Sequence, residues 1–574
     1  MILSDQQRAV VDADGNFLLL ACPGSGKTRS AAERTARLVR TPGTKVAVCS
    51  YTNVGGERIG SVLANDLGVV LDREHFLGTI HRFLLRYVVH PYAHLVGAKR
   101  GPFIHEGDWP DVLVHGDHKQ RIALDKFRYG ADGKLIGPKN PRGIKGTDAE
   151  IIESVGVEVR DRKGGYFKEA GLVSADDAMW VALRILRRFP AVAEAVSGRF
   201  DELLLDEAQD TSELQLACLE VLHATGRMGS LVLVGDLEQS IYSFMGADVT
   251  RLAQLAADRG LKTRSLTENH RCSQLICDVA KHFCSRGVAD TAVGPHRDCG
   301  IEPEVMLYPA KEPEAAMDAY RARLSTHSID PAGATVLARA WRVVDALNGQ
   351  TPLFRNTDRR YVLGQLAARL AAGTLTRSDV NAAQRLLAYC AWGIRQDELD
   401  DHQRQNLRRA TSLLLQRLPG LGGDLRTWLT AARTVLHDVA TSLAGAGPAH
   451  AGGRAVMTKQ EWDAHQASNV FSPAAPDLEA RTVHAFKGED SEAVMVVIRR
   501  VVPNDPTAQM DLWEAAVAGT EINPEKAEER RVIFVALTRA QRYCLVALPD
   551  DVRGRNVAAK CADLGFRLVV MHEK

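Results

Sequence analysis

Hydrophobic positions follow two rhythms that alternate along much of the chain. Residues 16–20 are a short apolar run ending in a glycine-rich turn, and 29–39 then places Ala32, Ala36 and Val39 at helical spacing. Residues 45–50 form a second continuous apolar run. Apolar runs of this kind, separated by helical patterns, predict a parallel sheet with helices on its faces. The rhythm breaks over 88–195, where turns such as Gly137-Pro138-Lys139-Asn140-Pro141 precede a helical stretch at 176–188. That segment reads as a mostly helical insertion. Strand-like runs resume at 200–205 and 231–234, ending in Asp206 and in Gly235-Asp236.

A second α/β unit is expected from Lys262 onward, with strands at 334–338, 493–498 and 543–548. It is interrupted by 346–478, rich in Ala, Leu and Arg. There Leu366 and Leu370 are spaced for one helix face, as are Leu407, Leu414 and Leu418. Leu418-Pro419-Gly420-Leu421-Gly422 weakly echoes a helix–hairpin–helix turn, against the plainer reading of a loop between helices. The predicted organisation is 1–87 plus 196–261 as the first α/β domain with 88–195 inserted, and 262–345 plus 479–574 as the second with 346–478 inserted.

Size supports several domains, because 574 residues exceed what one core can hold. Composition is ordinary for a soluble globular protein, with 45% hydrophobic and 25% charged residues. A net charge of +1 announces no nucleic-acid partner, yet a strand-gripping groove needs only local positive charge. The N-terminus lacks a leader pattern, and no apolar stretch reaches the length of a membrane helix. A cytoplasmic chain with no membrane partner is therefore expected. The ten cysteines read as reduced thiols; Cys272, Cys277, His282, Cys284 and Cys299 cluster in sequence but contain no CxxC pair.

Three polar turns sit where strands should end, which is where open α/β sheets bind ligands. Ala21-Cys22-Pro23-Gly24-Ser25-Gly26-Lys27-Thr28 joins a strand to a helix and reads as a phosphate-binding loop, although Ala21 replaces the usual first glycine. Backbone N–H groups and the helix N-terminus would cradle phosphate oxygens. Lys27 would reach the β/γ-phosphates and Thr28 would ligate Mg²⁺. The plain alternative, a glycine-rich turn with an incidental lysine, fits the strand–loop–helix context poorly. Asp206 ends an apolar strand and suits a Mg²⁺ site, while Glu207 beside it suits a base for the attacking water. Acidic loops are usually just solvated; the pairing with a phosphate loop reverses those odds.

With Asp206-Glu207-Ala208-Gln209-Asp210 and the segment from Gly235 to Tyr242, the chain resembles the UvrD/Rep-like superfamily 1 helicases in their motifs II and III. Other segments resemble further family motifs in the family's order: 3–10, Tyr51-Thr52-Asn53, 78–83, 266–271, 482–488 and 528–540. The resemblance covers both α/β units and neither insertion. It implies a P-loop NTPase with two RecA-like parallel-sheet domains, ATP and Mg²⁺ as cofactors, and 3′→5′ movement on single-stranded DNA, with action at duplex junctions. By resemblance, Gln7 would read adenine, His270 would stack on it where a tyrosine is usual, and Asp490 would meet the ribose. Gln239 would sense the γ-phosphate. Arg271 and Arg539 would reach it from the second domain; surface ion pairs are the plain alternative for both. Tyr51, Thr52, Asn53, His81, Tyr242, Phe244 and His484 resemble the single-strand contacts, though Tyr242 and Phe244 could instead be core aromatics.

Departures from the family pattern are Val54-Gly55-Gly56 after Asn53, Met245, and Glu489-Asp490-Ser491. The first rival reading is a DNA-stimulated ATPase subunit beside a nuclease in bacterial repair or antiviral defence, with little unwinding alone. A helicase–nuclease in one chain is disfavoured because the sequence ends soon after the last motif. A non-enzymatic binding module is disfavoured because every ATP-handling residue is present. The second insertion, about 130 residues long, looks short for the family. That predicts robust DNA-stimulated ATPase with poor partner-free unwinding.

Overall fold

Two six-stranded parallel sheets organise the chain in this computed structural model. It describes residues 3–105, 109–114, 120–138, 146–241, 249–310, 312, 315–348, 359–392, 401–444, 466–471, 478–499, 509–521 and 526–570. The first sheet runs Lys262–Leu266, Phe17–Ala21, Ser230–Gly235, Glu202–Asp206, Val46–Ser50, Phe76–Thr79. The second runs Ala480–Thr482, Ala334–Ala338, Ser491–Val497, Ala540–Pro549, Glu304–Tyr308, Arg567–Val569. The central strands are almost wholly buried, each built around a run of apolar residues.

The predicted strands form within three residues of expectation, but two other expectations are corrected. Lys262–Leu266, expected to open the second unit, pairs with Phe17–Ala21 in parallel register and so closes the first sheet. The expected boundary at 87/88 falls inside a continuous helical run through Ile80–Leu84, Leu85–Val89 and His90–Tyr92. Phe83, Leu84, Val88 and Val89 are all fully buried in the first unit's core, so cutting there would expose it. The insertion 88–195 carries the helices Asp148–Gly165, Ala175–Arg188 and Pro190–Ser197 together with three short two-stranded pairings.

The chain divides into two compact units. One holds both sheets: Met1–His105, Val112–Leu347 and Ala480–Lys574. The other comprises Asn348–Glu479 with Glu106–Asp111. Its helices Arg359–Ala371, Arg377–Trp392, Asp401–Arg417, Leu425–Ala444 and Ala467–Phe471 surround Leu366, Leu387, Leu414, Trp428 and Phe471. Leu407, Leu414 and Leu418 share that core as expected, whereas Leu370 is 42% exposed and leaves the predicted face. The segment 418–424 connects two helices, and the Pro419 carbonyl accepts a hydrogen bond from Trp428 Nε1 at 3.1 Å. No helix among the described residues is long and apolar enough to cross a membrane.

At the amino ends of the first sheet's strands sits a buried ion pair. Arg34 Nη2 lies 2.6 Å from Glu202 Oε2, with side chains 3% and 4% exposed. Arg34 Nη1 also donates to the carbonyls of Val10, Val11 and Ala13, and Ser230 Oγ donates to Glu202 at 2.7 Å. The pair therefore ties the helix Lys27–Val39 to two strands and to the N-terminal turn. Removing one partner leaves a buried charge with no counter-ion, so Arg34→Ala should lose about 3–5 kcal/mol in denaturant unfolding. A loss below about 1 kcal/mol would show that the pair is not what holds this corner.

Candidate functional site

The carboxyl ends of the first sheet's strands carry the phosphate-type loop. Only 22–26 separate Phe17–Ala21 from the helix Lys27–Val39. Gly24 and Gly26 have φ of +69° and +76°, a region that favours glycine. Contact demands glycine as well. A Cβ on Gly24 would lie 2.6 Å from Arg271 Cβ, and one on Gly26 would lie 2.5 Å from Gln7 Nε2. Ala21, by contrast, is a strand residue paired with Leu266, which explains why alanine is tolerated there. Gln7 is fixed by a reciprocal cap with Ser4 and donates to Ser25 O at 2.9 Å. Its Nε2 also stands 3.4 Å from His270 Nε2, so the two residues expected around adenine meet beside the loop. Within the loop, Ser25 Oγ is buried with no hydrogen-bond partner among the described residues.

Opposite the loop stands the acidic turn. Lys27 Nζ lies 3.0 Å from Glu207 Oε1, and Thr28 Oγ1 is 3.4 Å from Asp206 Oδ2. Glu207 has φ +55°, a left-handed conformation uncommon for a residue with a side chain and concentrated at functional sites. Burial opposes charge on Lys27, but Glu207, Asp206 and Asp236 outweigh it and raise its pKa. Burial and the neighbouring Glu207 push the Asp206 carboxyl up. Burial also opposes ionisation of Glu207, yet Lys27 and Lys487 hold it well below the usual carboxylate range. Two adjacent carboxyls are thus driven in opposite directions, Asp206 by burial beside a like charge and Glu207 by its two lysines.

Cations from the second sheet complete the site. Arg539 follows the helix Ala527–Leu537; its Nη2 donates to Gln239 Oε1 at 3.0 Å, and Gln239 Nε2 donates to Asp236 Oδ2 at 2.7 Å. Burial and the nearby Arg271 lower the Arg539 pKa to about 9, which leaves it charged at neutral pH. Arg271 Nε pairs with Asp490 Oδ2 at 3.1 Å, and its Nη1 donates to Thr538 O at 3.2 Å. Gln541 holds the other Asp490 oxygen at 2.7 Å. Asp490, expected at a ribose, is thus engaged with Arg271. The sequence reading gave no roles to Gln209, Asp210, Asp236 or Lys487. All four lie inside the quoted motifs, and the clustering of acids there was the available signal.

The residues expected to meet a strand leave neighbouring strand ends. Tyr51, Thr52 and Asn53 follow Val46–Ser50, and His81 follows Phe76–Thr79. Thr52 Oγ1 caps the next helix by accepting from Gly55 N at 3.1 Å. A Cβ on Gly55 would lie 2.3 Å from Ser50 Oγ, which accounts for glycine at one of the departing positions. His484 Nε2 is 3.0 Å from Ile241 O; burial and Arg339 lower its pKa to about 4, so at neutral pH it offers a ring and a hydrogen bond but no charge. Burial likewise lowers the His81 pKa. Tyr242 and Phe244 lie outside the described residues, so the structure does not place them.

Residues 3–259 match the family model of the UvrD/REP helicase N-terminal domain. Similar proteins include the ATP-dependent DNA helicase UvrD1 of Mycobacterium tuberculosis (strain ATCC 25618 / H37Rv), 26% identical over 305 residues, covering 50% of this chain and 39% of the relative. The ATP-dependent DNA helicase PcrA of Leuconostoc citreum is 28% identical over 295 residues, covering 48% and 38%. DNA helicase II of Haemophilus influenzae is 27% identical over 304 residues, covering 49% and 40%. The matched segment spans about two fifths of these relatives' length.

The loop geometry yields a paired prediction. Gly26 and Gly15 share φ +76°, but a Cβ on Gly15 meets nothing within 4 Å. Gly26→Ala should therefore weaken adenine-nucleotide binding about tenfold or more, whereas Gly15→Ala should stay within about twofold, in a fluorescent-nucleotide titration. Equal losses would mean that backbone strain alone, and not the approach to Gln7, sets the requirement.

Proposed function

We propose that this UvrD/Rep-like chain hydrolyses ATP to move along single-stranded DNA, as a helicase or translocase running 3′→5′. The observation that carries the reading is the hydrogen bond from Arg539 to Gln239. It brings an arginine of the second sheet to the first sheet's phosphate loop and acidic turn, beside Lys27 and Glu207. An arginine so placed can stabilise charge developing on a transferred phosphoryl group and sense closure of the cleft.

Each residue then has a role. Lys27 neutralises the β/γ-phosphates, with the backbone of 22–26 around them. Thr28 and Asp206 form the oxygen donor set that suits Mg²⁺, which when bound neutralises phosphate charge. The unsatisfied Ser25 hydroxyl and the glycine-lined loop fit such a ligand. Glu207, kept ionised by its lysines, accepts the proton of the attacking water. Gln239 orients toward the γ-phosphate, and Arg271 and Arg539 act as fingers. Gln7 and His270 flank the adenine. Asp490 must release Arg271 to reach a ribose. Tyr51, Thr52, Asn53, His81, Tyr242, Phe244 and His484 contact the strand, where stacking on any base gives sequence tolerance.

The test is ATPase with and without single-stranded DNA, then strand separation on 3′- and 5′-tailed duplexes. Turnover should rise with DNA of any sequence, and the stimulation should weaken with salt. No stimulation, or stimulation independent of salt, would sink the DNA reading. Robust stimulation without strand separation would favour a subunit working beside a nuclease.

Three substitutions check the chemistry. Glu207→Gln should keep ATP binding and lose about 10²–10⁴-fold in kcat. Arg539→Ala and Arg271→Ala should each lose about 10³-fold or more. An arginine variant with turnover within about twofold of wild type is not a finger.

A further inference from the structure

A short ladder fixes the backbone beside the phosphate-type loop. Glu268–Asn269 pairs with Thr291–Ala292, and Val293 N donates to Asn269 O at 2.8 Å. From the N-terminal helix, Gln6 Oε1 accepts from Thr267 N at 2.9 Å, and Gln6 Nε2 donates to Thr267 Oγ1 at 3.2 Å. His270 N donates to Gly24 O at 3.0 Å, and a Cβ on Gly294 would lie 2.1 Å from His270 O. The backbone of 267–270 is thus held from several sides, and rearrangement there is left to side chains.

Side chains alternate along an extended segment, so Glu268 and His270 share a face and Asn269 takes the other. Asn269 is fully buried, and its Oδ1 accepts from Arg271 N and Cys272 N, both at 2.9 Å. On the opposite face His270 Nε2 stands between two partners, 3.4 Å from Gln7 Nε2 and 4.0 Å from Glu268 Oε2. Glu268 Oε2 is buried with no hydrogen-bond partner among the described residues, and a buried carboxylate oxygen without a donor is costly. Gln7 Nε2 already gives one N–H to Ser25 O at 2.9 Å, which leaves its second N–H as the variable one.

A given nitrogen of neutral imidazole either accepts or donates. As an acceptor, His270 Nε2 takes the second N–H of Gln7. As a donor, it turns to Glu268 and leaves that N–H for another acceptor. The two bonds exclude each other, and the N7 atom of adenine is an acceptor of the required kind. The His270 side chain is 35% exposed, which leaves the ring within reach of a base.

We propose that Glu268 is a positioning residue for adenine-nucleotide binding: it draws the Nε2–H of His270 away from Gln7, so that the second Gln7 N–H can donate to N7 of the base. The proposal rests on the reading of Gln7 and His270 as the adenine-facing pair. A carboxylate that only supports the fold would affect every nucleotide alike. One that frees a donor for N7 affects only nucleotides that have N7.

The experiment measures the affinity of the full chain for ATP and for 7-deaza-ATP, which has carbon in place of N7, by competition against a fluorescent nucleotide. ATPase with saturating oligo-dT is measured alongside. Wild type should bind 7-deaza-ATP about three- to tenfold more weakly than ATP, the equivalent of one hydrogen bond. Glu268→Ala should weaken ATP by a similar factor and 7-deaza-ATP by less than about twofold, so the ratio of the two Kd values falls toward one. Its kcat should stay within about twofold of wild type, since the change lies in binding. Glu268→Gln, whose amide oxygen still accepts from His270, should restore most of the ratio. His270→Phe keeps an aromatic ring without the nitrogen, so adding Glu268→Ala to it should leave the ratio where His270→Phe alone sets it. An unchanged ratio in Glu268→Ala overturns the proposal, as does an equal further fall when Glu268→Ala is added to His270→Phe. Equal affinity of wild type for the two nucleotides overturns the reading of Gln7 at the base, and the proposal with it.

Discussion

Four carboxyl groups crowd the ends of two adjacent strands, and none of them can stay charged without cations brought to it. Asp206, Glu207, Asp210 and Asp236 all lie at the carboxyl ends of Glu202–Asp206 and Ser230–Gly235 or in the turns that follow. Burial raises the pKa of Asp206, Asp210 and Asp236. The first sheet supplies one direct partner, Lys27. The second sheet supplies Lys487 to Asp210 and, through Gln239, Arg539 toward Asp236. Electrostatics therefore makes the acidic site incomplete until elements of both sheets meet, since an uncompensated buried charge costs several kcal/mol.

That constraint explains the polarity of the first sheet. Its strands are parallel, so all their carboxyl ends face one way and all their amino ends the other. The amino ends hold a closed network, Arg34 with Glu202 and Ser230, in which each charged group is satisfied within the fold. The carboxyl ends instead hold groups left partly open: a Ser25 hydroxyl and an Asp210 Oδ1 with no partner among the described residues, and a left-handed Glu207. One end of the sheet is finished for stability, and the other is arranged for a ligand.

Close backbone approach is the second physical device. Gly24 and Gly26 let the phosphate-type loop touch Arg271 and Gln7 with no Cβ between them. Gly235 does the same for Gln209. Side chains from distant parts of the sequence thus converge on the loop within hydrogen-bonding distance. In such a packed site a small shift of the second sheet's elements must alter the contacts of Gln239, Arg271 and Lys487 together.

The sequence by itself determined seven of the twelve strands of the two sheets, the parallel α/β class, the glycine-rich loop and the acidic turn. Each is recorded locally: an apolar run shows a buried strand, and glycines at fixed offsets show where a backbone must turn. It also showed that residues 266–271 and 482–488 belong with the loop, through their motif order. What only the tertiary structure decided is pairing. Lys262–Leu266 is mostly polar in sequence and carries no local sign of its sheet; its register against Phe17–Ala21 assigns it to the first. Leu370 has the spacing of a core residue, but the helix around it turns that position to solvent. Lys487 and Asp210 are separated by 277 positions, and Arg539 and Gln239 by 300. Periodicity and local spacing reveal which side of a segment is buried. They carry no record of which distant charge it is buried against, because that choice is made by the packing of whole sheets.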